Sequence, residues 1–252
     1  MFAFLRRRRR HKLLQQPIPS AWRPLLEREI RYFPLLPPQT QEELQHKMTV
    51  LLHEKAFEGC GGFEVTEPVR LTVAAYAALL LLNRETTFYP ALHSILIYPD
   101  AFVAQHQVED ETGMVWETEE VEEGESWAAG SVLLSWKDVR RDKRKFDGRN
   151  VIIHEFAHQL YDTADFFSGD AAARAAWVRT FDEHFEKHAN SVERGWRTFI
   201  DEYGAEDEAE FFSVVSEAFF EQPVKLRQRH PELYAALRSC YCQDPVKYFD
   251  QV

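Results

Sequence analysis

Two histidines and a glutamate lie inside an apolar stretch of this chain, Val151-Ile152-Ile153-His154-Glu155-Phe156-Ala157-His158-Gln159-Leu160. Its apolar content and length fit a buried helix, and Asn150 just ahead of it is a good N-cap. Three ionisable side chains are costly to bury unless they share a partner. On an α-helix, His154 and His158 are four residues apart and stack on one face, one turn apart, so both imidazoles can reach a single ion. Glu155 is rotated by about 100 degrees from His154, which sets its carboxylate beside such an ion, where it can take a proton from water. The chain therefore has to fold around this helix and bring a further ligand to it.

A catalytic zinc site takes three protein ligands and leaves a fourth position open. No histidine extends the string in the metzincin manner, so the third ligand is sought on another helix, as in the gluzincin type. The segment from Asp207 to Glu221 is suitable: Phe211, Phe212, Val214, Val215, Ala218 and Phe219 form an apolar surface, while Glu210, Ser213 and Glu217 share a second stripe. Glu217 is mid-helix with apolar neighbours on both sides, and it ranks first as the third ligand beside His154 and His158. Glu210 ranks second, because an acid near a helix start is also favoured by the helix dipole. Pro223 should end this helix.

Glu155 is the candidate catalytic base, and Tyr203 is a candidate donor to the oxyanion of a tetrahedral intermediate. Asp162, one turn beyond His158, could hydrogen-bond a ligating imidazole, though a turn at the helix end suits it equally. His184 and His188 also have helical ligand spacing, but they sit among Asp182, Glu183, Glu186 and Lys187 and read as a solvated face.

The 252 residues carry a formal charge of -11, which excludes nucleic acid as the main partner, since phosphate binding needs a basic footprint. The run Arg6 to Arg10 is followed by no apolar core of a secretory signal and reads as a solvated, poorly ordered tail covering residues 1–16. Residues 17–252 read as a single domain. The longest apolar stretch, Leu71 to Leu82, is too short to span a bilayer, so no membrane role is expected. Three cysteines, Cys60, Cys240 and Cys242, suit a reducing compartment, and the cytoplasm is the expected location.

The coarse element order is helices, a small sheet, then helices, which makes the fold class α+β. A helix is expected from Thr40 as N-cap, with Glu43 closing a capping box, through Phe57 to a stop at Gly59, Gly61 and Gly62. A buried helix follows over about 69–83, then strands over 94–98 and 131–136. The acidic stretch between those strands, Glu109 to Glu125, is expected as a solvated hairpin or loop turning at Thr112-Gly113.

Several blocks in order resemble the Mlc titration factor A family: Ile95-Leu96-Ile97-Tyr98-Pro99, Gly124-Glu125-Ser126-Trp127, Val132-Leu133-Leu134-Ser135-Trp136, the His154 to His158 string, Ala209 to Val214 and Ser216 to Phe220. The resemblance spans roughly residues 20 to 250. It implies a mainly helical, zincin-like metallopeptidase domain related to the anthrax lethal factor catalytic domain, with the small sheet next to the His-Glu-x-x-His helix. It also implies zinc on His154, His158 and Glu217, with Glu155 as base. The activity it implies is aminopeptidase-like action on short peptides. The partner it implies is a transcriptional repressor of the Mlc type that governs sugar-uptake genes. The competing class is a repressor-sequestering binding protein whose metal site is structural or weakly active.

Overall fold

A computed structural model describes residues 2–100, 102–109, 115–122, 126–127, 130–161, 163 and 171–249. The chain opens with helices α1 (Phe2–Leu14), α2 (Trp22–Glu29) and α3 (Pro38–Glu54), then strand β1 (Ala56–Gly59) and helix α4 (Glu67–Leu79). Strands β2 (Ser94–Tyr98), β3 (Phe102–Glu109), β4 (Val115–Glu122), β5 (Ser126–Trp127) and β6 (Ser131–Ser135) follow. The remainder is helical: α5 (Trp136–Asp142), α6 (Val151–Tyr161), α7 (Ala171–Glu193), α8 (Glu208–Glu221), α9 (Pro223–Arg229), α10 (Pro231–Tyr241) and α11 (Val246–Phe249). This is the α+β class expected.

The main sheet has the order β1-β2-β6-β5. Strands β1, β2 and β6 run parallel, with Ile95 opposite Val132 and Ile97 opposite Leu134, and β5 is antiparallel to β6. Parallel strands need both faces covered, and Ile95, Ile97, Val132 and Leu134 are all buried. Strands β3 and β4 form a separate antiparallel pair, as a hairpin would, while the expected turn at Thr112-Gly113 lies outside the described residues.

Three N-terminal expectations are corrected. Residues 2–14 form a helix rather than a loose tail: Leu13 is buried, and Arg10 forks onto both oxygens of Glu54 in α3 at 2.8 and 2.6 Å. Helix α3 starts at Pro38 rather than after Thr40, because proline fits the first helical position, where no amide donor is needed. Glu43 is therefore not part of a capping box; it accepts from the Asn83 amide at 2.9 Å and pairs with Lys47 at 3.0 Å. The helix also stops at Glu54, and Ala56–Gly59 leaves it to pair with β2 as an edge strand.

Helix α4 and the turn after it are buried throughout from Leu71 to Leu82, as a helix apolar on every side must be. Around α8, the rings of Phe211, Phe212, Phe219 and Phe220 pack against Trp177, Phe181, Tyr234 and Tyr241. Helix α6 sits between these halves, touching α4, α5, α8 and β6. That central position holds its polar residues in a fixed frame.

Candidate metal centre

The start of α6 is tied down by four groups. Asn150 caps the helix, its Oδ1 accepting from the Ile153 amide at 3.2 Å. The Val151 amide donates to Asp142 Oδ2 at 3.0 Å, and the Asn150 amide donates to Glu217 Oε2. Asn150 Nδ2 donates to Glu221 Oε1 at 3.1 Å. Acids gathered at a helix N-terminus meet unsatisfied amides and the positive end of the dipole, which favours their burial there.

From this anchored start, α6 presents His154 and His158 on one face, with Nε2 of each facing the other at 3.2 Å. Helix α8 begins at the Asp207 N-cap, whose Oδ1 accepts from the Ala209 and Glu210 amides at 2.8 and 2.9 Å. This brings Glu210 to the histidine pair, with Oε2 at 3.0 Å from His154 Nε2 and Oε1 at 3.2 Å from His158 Nε2. Two turns on, Glu217 accepts a hydrogen bond from His154 Nδ1 at 2.9 Å. Among the described residues, the ligand atoms of His154, His158 and Glu210 converge, all within 4.8 Å of one another. Glu210 faces both Nε2 atoms, and Glu217, which ranks first from sequence, lies on the Nδ1 side of His154.

The trio fits a metal ion. Zinc with bonds of about 2.0–2.1 Å in a tetrahedral shell places its donors about 3.3–3.4 Å apart, close to the separations found here. Glu210 Oε2 is buried without a hydrogen-bond partner despite its nearness to His154. Two imidazole nitrogens and a carboxylate are also the donor set that zinc prefers, and an outer carboxylate on the far nitrogen of a ligating histidine fixes its tautomer.

The electrostatics of the trio follow from the same contacts. Burial opposes charge on His154, but the Glu210 and Glu217 carboxylates outweigh it and hold the imidazole well above its ordinary pKa. Burial likewise works against Glu210, yet the two histidines beside it bring its carboxyl down to about 2. Glu155 is 2% exposed, its Oε2 has no hydrogen-bond partner, and burial lifts its carboxyl to about 7 against the pull of the two histidines. A carboxylate at that value can both accept and return a proton near neutral pH.

Tyr203 is carried by a 3-10 turn, Glu202–Ala205, which packs against α8 through Gly204; a Cβ there would sit 3.4 Å from Phe211 Cα and Val214 Cβ. Asp201 caps the turn at the Tyr203 amide and pairs with Arg149, the residue before Asn150, so turn and helix start are fixed together. The Tyr203 ring lies 5.9 Å from that of His154 and is 45% exposed, open to an incoming ligand. Burial, with Glu210 beside it, pushes its hydroxyl upward, so it stays a proton donor. Asp162 lies outside the described residues. Among the described residues, Cys60, Cys240 and Cys242 form no disulfide.

Sequence reading missed two features. His188 is buried, its Nε2 bonded to the Asp201 carbonyl at 2.9 Å, so it does not belong to a solvated face. Glu221, which the sequence assigns no role, is 2% exposed beside Asn150, and burial holds its carboxyl well above the ordinary carboxylate range. The i, i+4 spacing of Glu221 from Glu217 and its i, i+11 spacing from Glu210, which put it on the same face of α8, were the available signal for Glu221.

An apolar helix with paired histidines and a carboxylate from a neighbouring helix defines a metallopeptidase-like site. The chain belongs to the glucose-regulated metallo-peptidase M90 family, whose model matches residues 4–242. An uncharacterized protein of Synechocystis sp. is 36% identical over 94% of this chain and 89% of its own length. Proteins named Mlc titration factor A are 31% identical in Yersinia enterocolitica, over 87% of this chain and 85% of theirs, and 33% identical in Escherichia coli O7:K1, over 85% and 84%. No helix among the described residues is long and apolar enough to cross a membrane.

Proposed function

We propose that this chain is a zinc-dependent peptidase of gluzincin type and zincin-like fold, acting in the cytoplasm on short peptides in an aminopeptidase-like manner. The observation that carries the reading is the convergence of His154, His158 and Glu210 beside a buried Glu155. In this account His154, His158 and Glu210 hold zinc, and Glu217 orients His154 through Nδ1. Zinc held there supplies a Lewis acid that polarises a carbonyl and lowers the pKa of water.

Glu155 takes the proton from the attacking water and returns it to the leaving amine, a task for which a carboxyl near 7 is suited. Tyr203, with its hydroxyl kept protonated, donates a hydrogen bond to the negative charge that develops on the substrate oxygen. Hydrolysis of a panel of fluorogenic aminoacyl and peptide substrates tests this. Activity that a chelator removes and zinc restores, absent from Glu155→Gln, is the expected result; activity indifferent to chelator and to Glu155→Gln overturns it.

A second role rests on the names of the relatives, which are titration factors for Mlc. In this role the chain binds a transcriptional repressor of that type and so regulates sugar-uptake genes. Glu155→Gln separates the two roles, since it removes hydrolysis and leaves a docking surface untouched. Pull-down of purified Mlc-type repressor by that variant is expected; failure of both the wild type and the variant to bind it removes the second role.

A further inference from the structure

Away from the histidine trio, a cavity of about 510 Å³ opens between the C-terminal half of α7, the segment 197–200 and the junction of α9 with α10. Lys187, Arg197 and Arg229 converge on it from these three elements, joined by His184, His188 and His230. Among the described residues none of the three cations is paired with an acid, and Glu232 is the acid in the lining. Three fixed positive charges against one negative leave +2, in a chain whose formal charge is -11. Like charges gathered in a concave wall repel each other, a cost that an incoming anion removes.

Burial, then the neighbouring His184 and His188 rings and the Arg229 guanidinium, push the His230 imidazole below its ordinary value. The wall is also partly aromatic: the Phe199 and His230 rings stack at 6.2 Å and 26°, and the Arg229 guanidinium lies 5.2 Å over Phe199.

We propose that this cavity is a binding site for a small organic phosphate. A phosphate monoester carries about -1.5 to -2 near neutral pH and so matches the surplus of +2, which a single carboxylate leaves unbalanced. The volume exceeds what a bare phosphate fills, and the Phe199 and His230 rings offer a face for the organic part. Guanidinium groups from two different elements can grip phosphate oxygens by paired N–H donors. The segment that lines the cavity continues directly to Tyr203, and His188 holds the Asp201 carbonyl between them.

The test is calorimetric titration of the full chain with glycerol 3-phosphate at fixed ionic strength. Glycerol and acetate serve as controls. The result expected is saturable one-to-one binding of glycerol 3-phosphate, weakened at least about tenfold in the double variant Arg197→Ala/Arg229→Ala and retained in His154→Ala. Both arginines are exposed, so circular dichroism of the double variant should match the wild type. No saturable binding, equal binding by the double variant, or equal binding of acetate overturns the proposal. Binding lost in His154→Ala also overturns it, because that places the phosphate on the metal centre.

Discussion

Glu217 accepts the Nδ1 proton of His154 at 2.9 Å, and this one contact decides which way the imidazole faces. With Nδ1 committed, Nε2 is turned to His158 Nε2 at 3.2 Å and to Glu210. The Glu217 carboxylate is itself held by the Asn150 amide at the start of the same helix. The donor set is thus oriented from behind.

Glu217→Gln should therefore weaken metal binding without abolishing it. Outer partners of ligating histidines are worth about 10–100-fold in affinity. Competition with a chromophoric chelator measures this, and a complete loss of binding would mean that Glu217 is a ligand itself.

Tyr203→Phe keeps the ring beside His154 and removes the hydroxyl. A donor to a developing oxyanion contributes about 10²–10³ in kcat, so kcat should fall by that order with KM little changed. A change confined to KM would make Tyr203 a substrate-binding residue instead.

The stability of metal-free protein should fall as pH rises. The folded-state pKa of His154 stands above its unfolded value near 6.5, so the stabilisation is fully present below about 6.5 and is lost as pH rises through the folded value. Metal binding needs neutral imidazoles, so stabilisation by metal grows in the opposite direction. Melting temperatures at about pH 6 and 8.5, with and without chelator, should diverge toward alkaline pH. A constant gap would show that the histidines do not carry the linkage.

Phe219 is fully buried, stacked on Tyr241 at 5.5 Å and tilted against Tyr234 at 5.3 Å. Phe219→Ala should cost about 3–5 kcal/mol in urea unfolding. A loss below about 1 kcal/mol would mean that the aromatic packing around α8 relaxes freely.

The His154 to His158 string was legible because its information is local: helical spacing alone puts two imidazoles on one face. The choice between Glu210 and Glu217 is not local. Both lie on one stripe of α8, about 10 Å apart along the axis, and only the height at which α8 crosses α6 decides which reaches Nε2. Sequence favoured Glu217 because burying a mid-helix acid demands a partner, and it has two, His154 and the Asn150 amide. Strand β1 was hidden for a similar reason, since Ala56–Gly59 continues a helical pattern and becomes a strand through pairing with β2, far along the chain. The basic cavity joins residues as distant as Lys187 and Arg229, which no spacing rule connects.

The most direct test is zinc content by native mass spectrometry on the wild type, Glu210→Ala and Glu217→Ala, each reconstituted with equimolar zinc. The account predicts one zinc in the wild type, none retained by Glu210→Ala and partial occupancy in Glu217→Ala. A wild type that takes up no zinc, or a Glu210→Ala variant that holds it as well as the wild type, would contradict it.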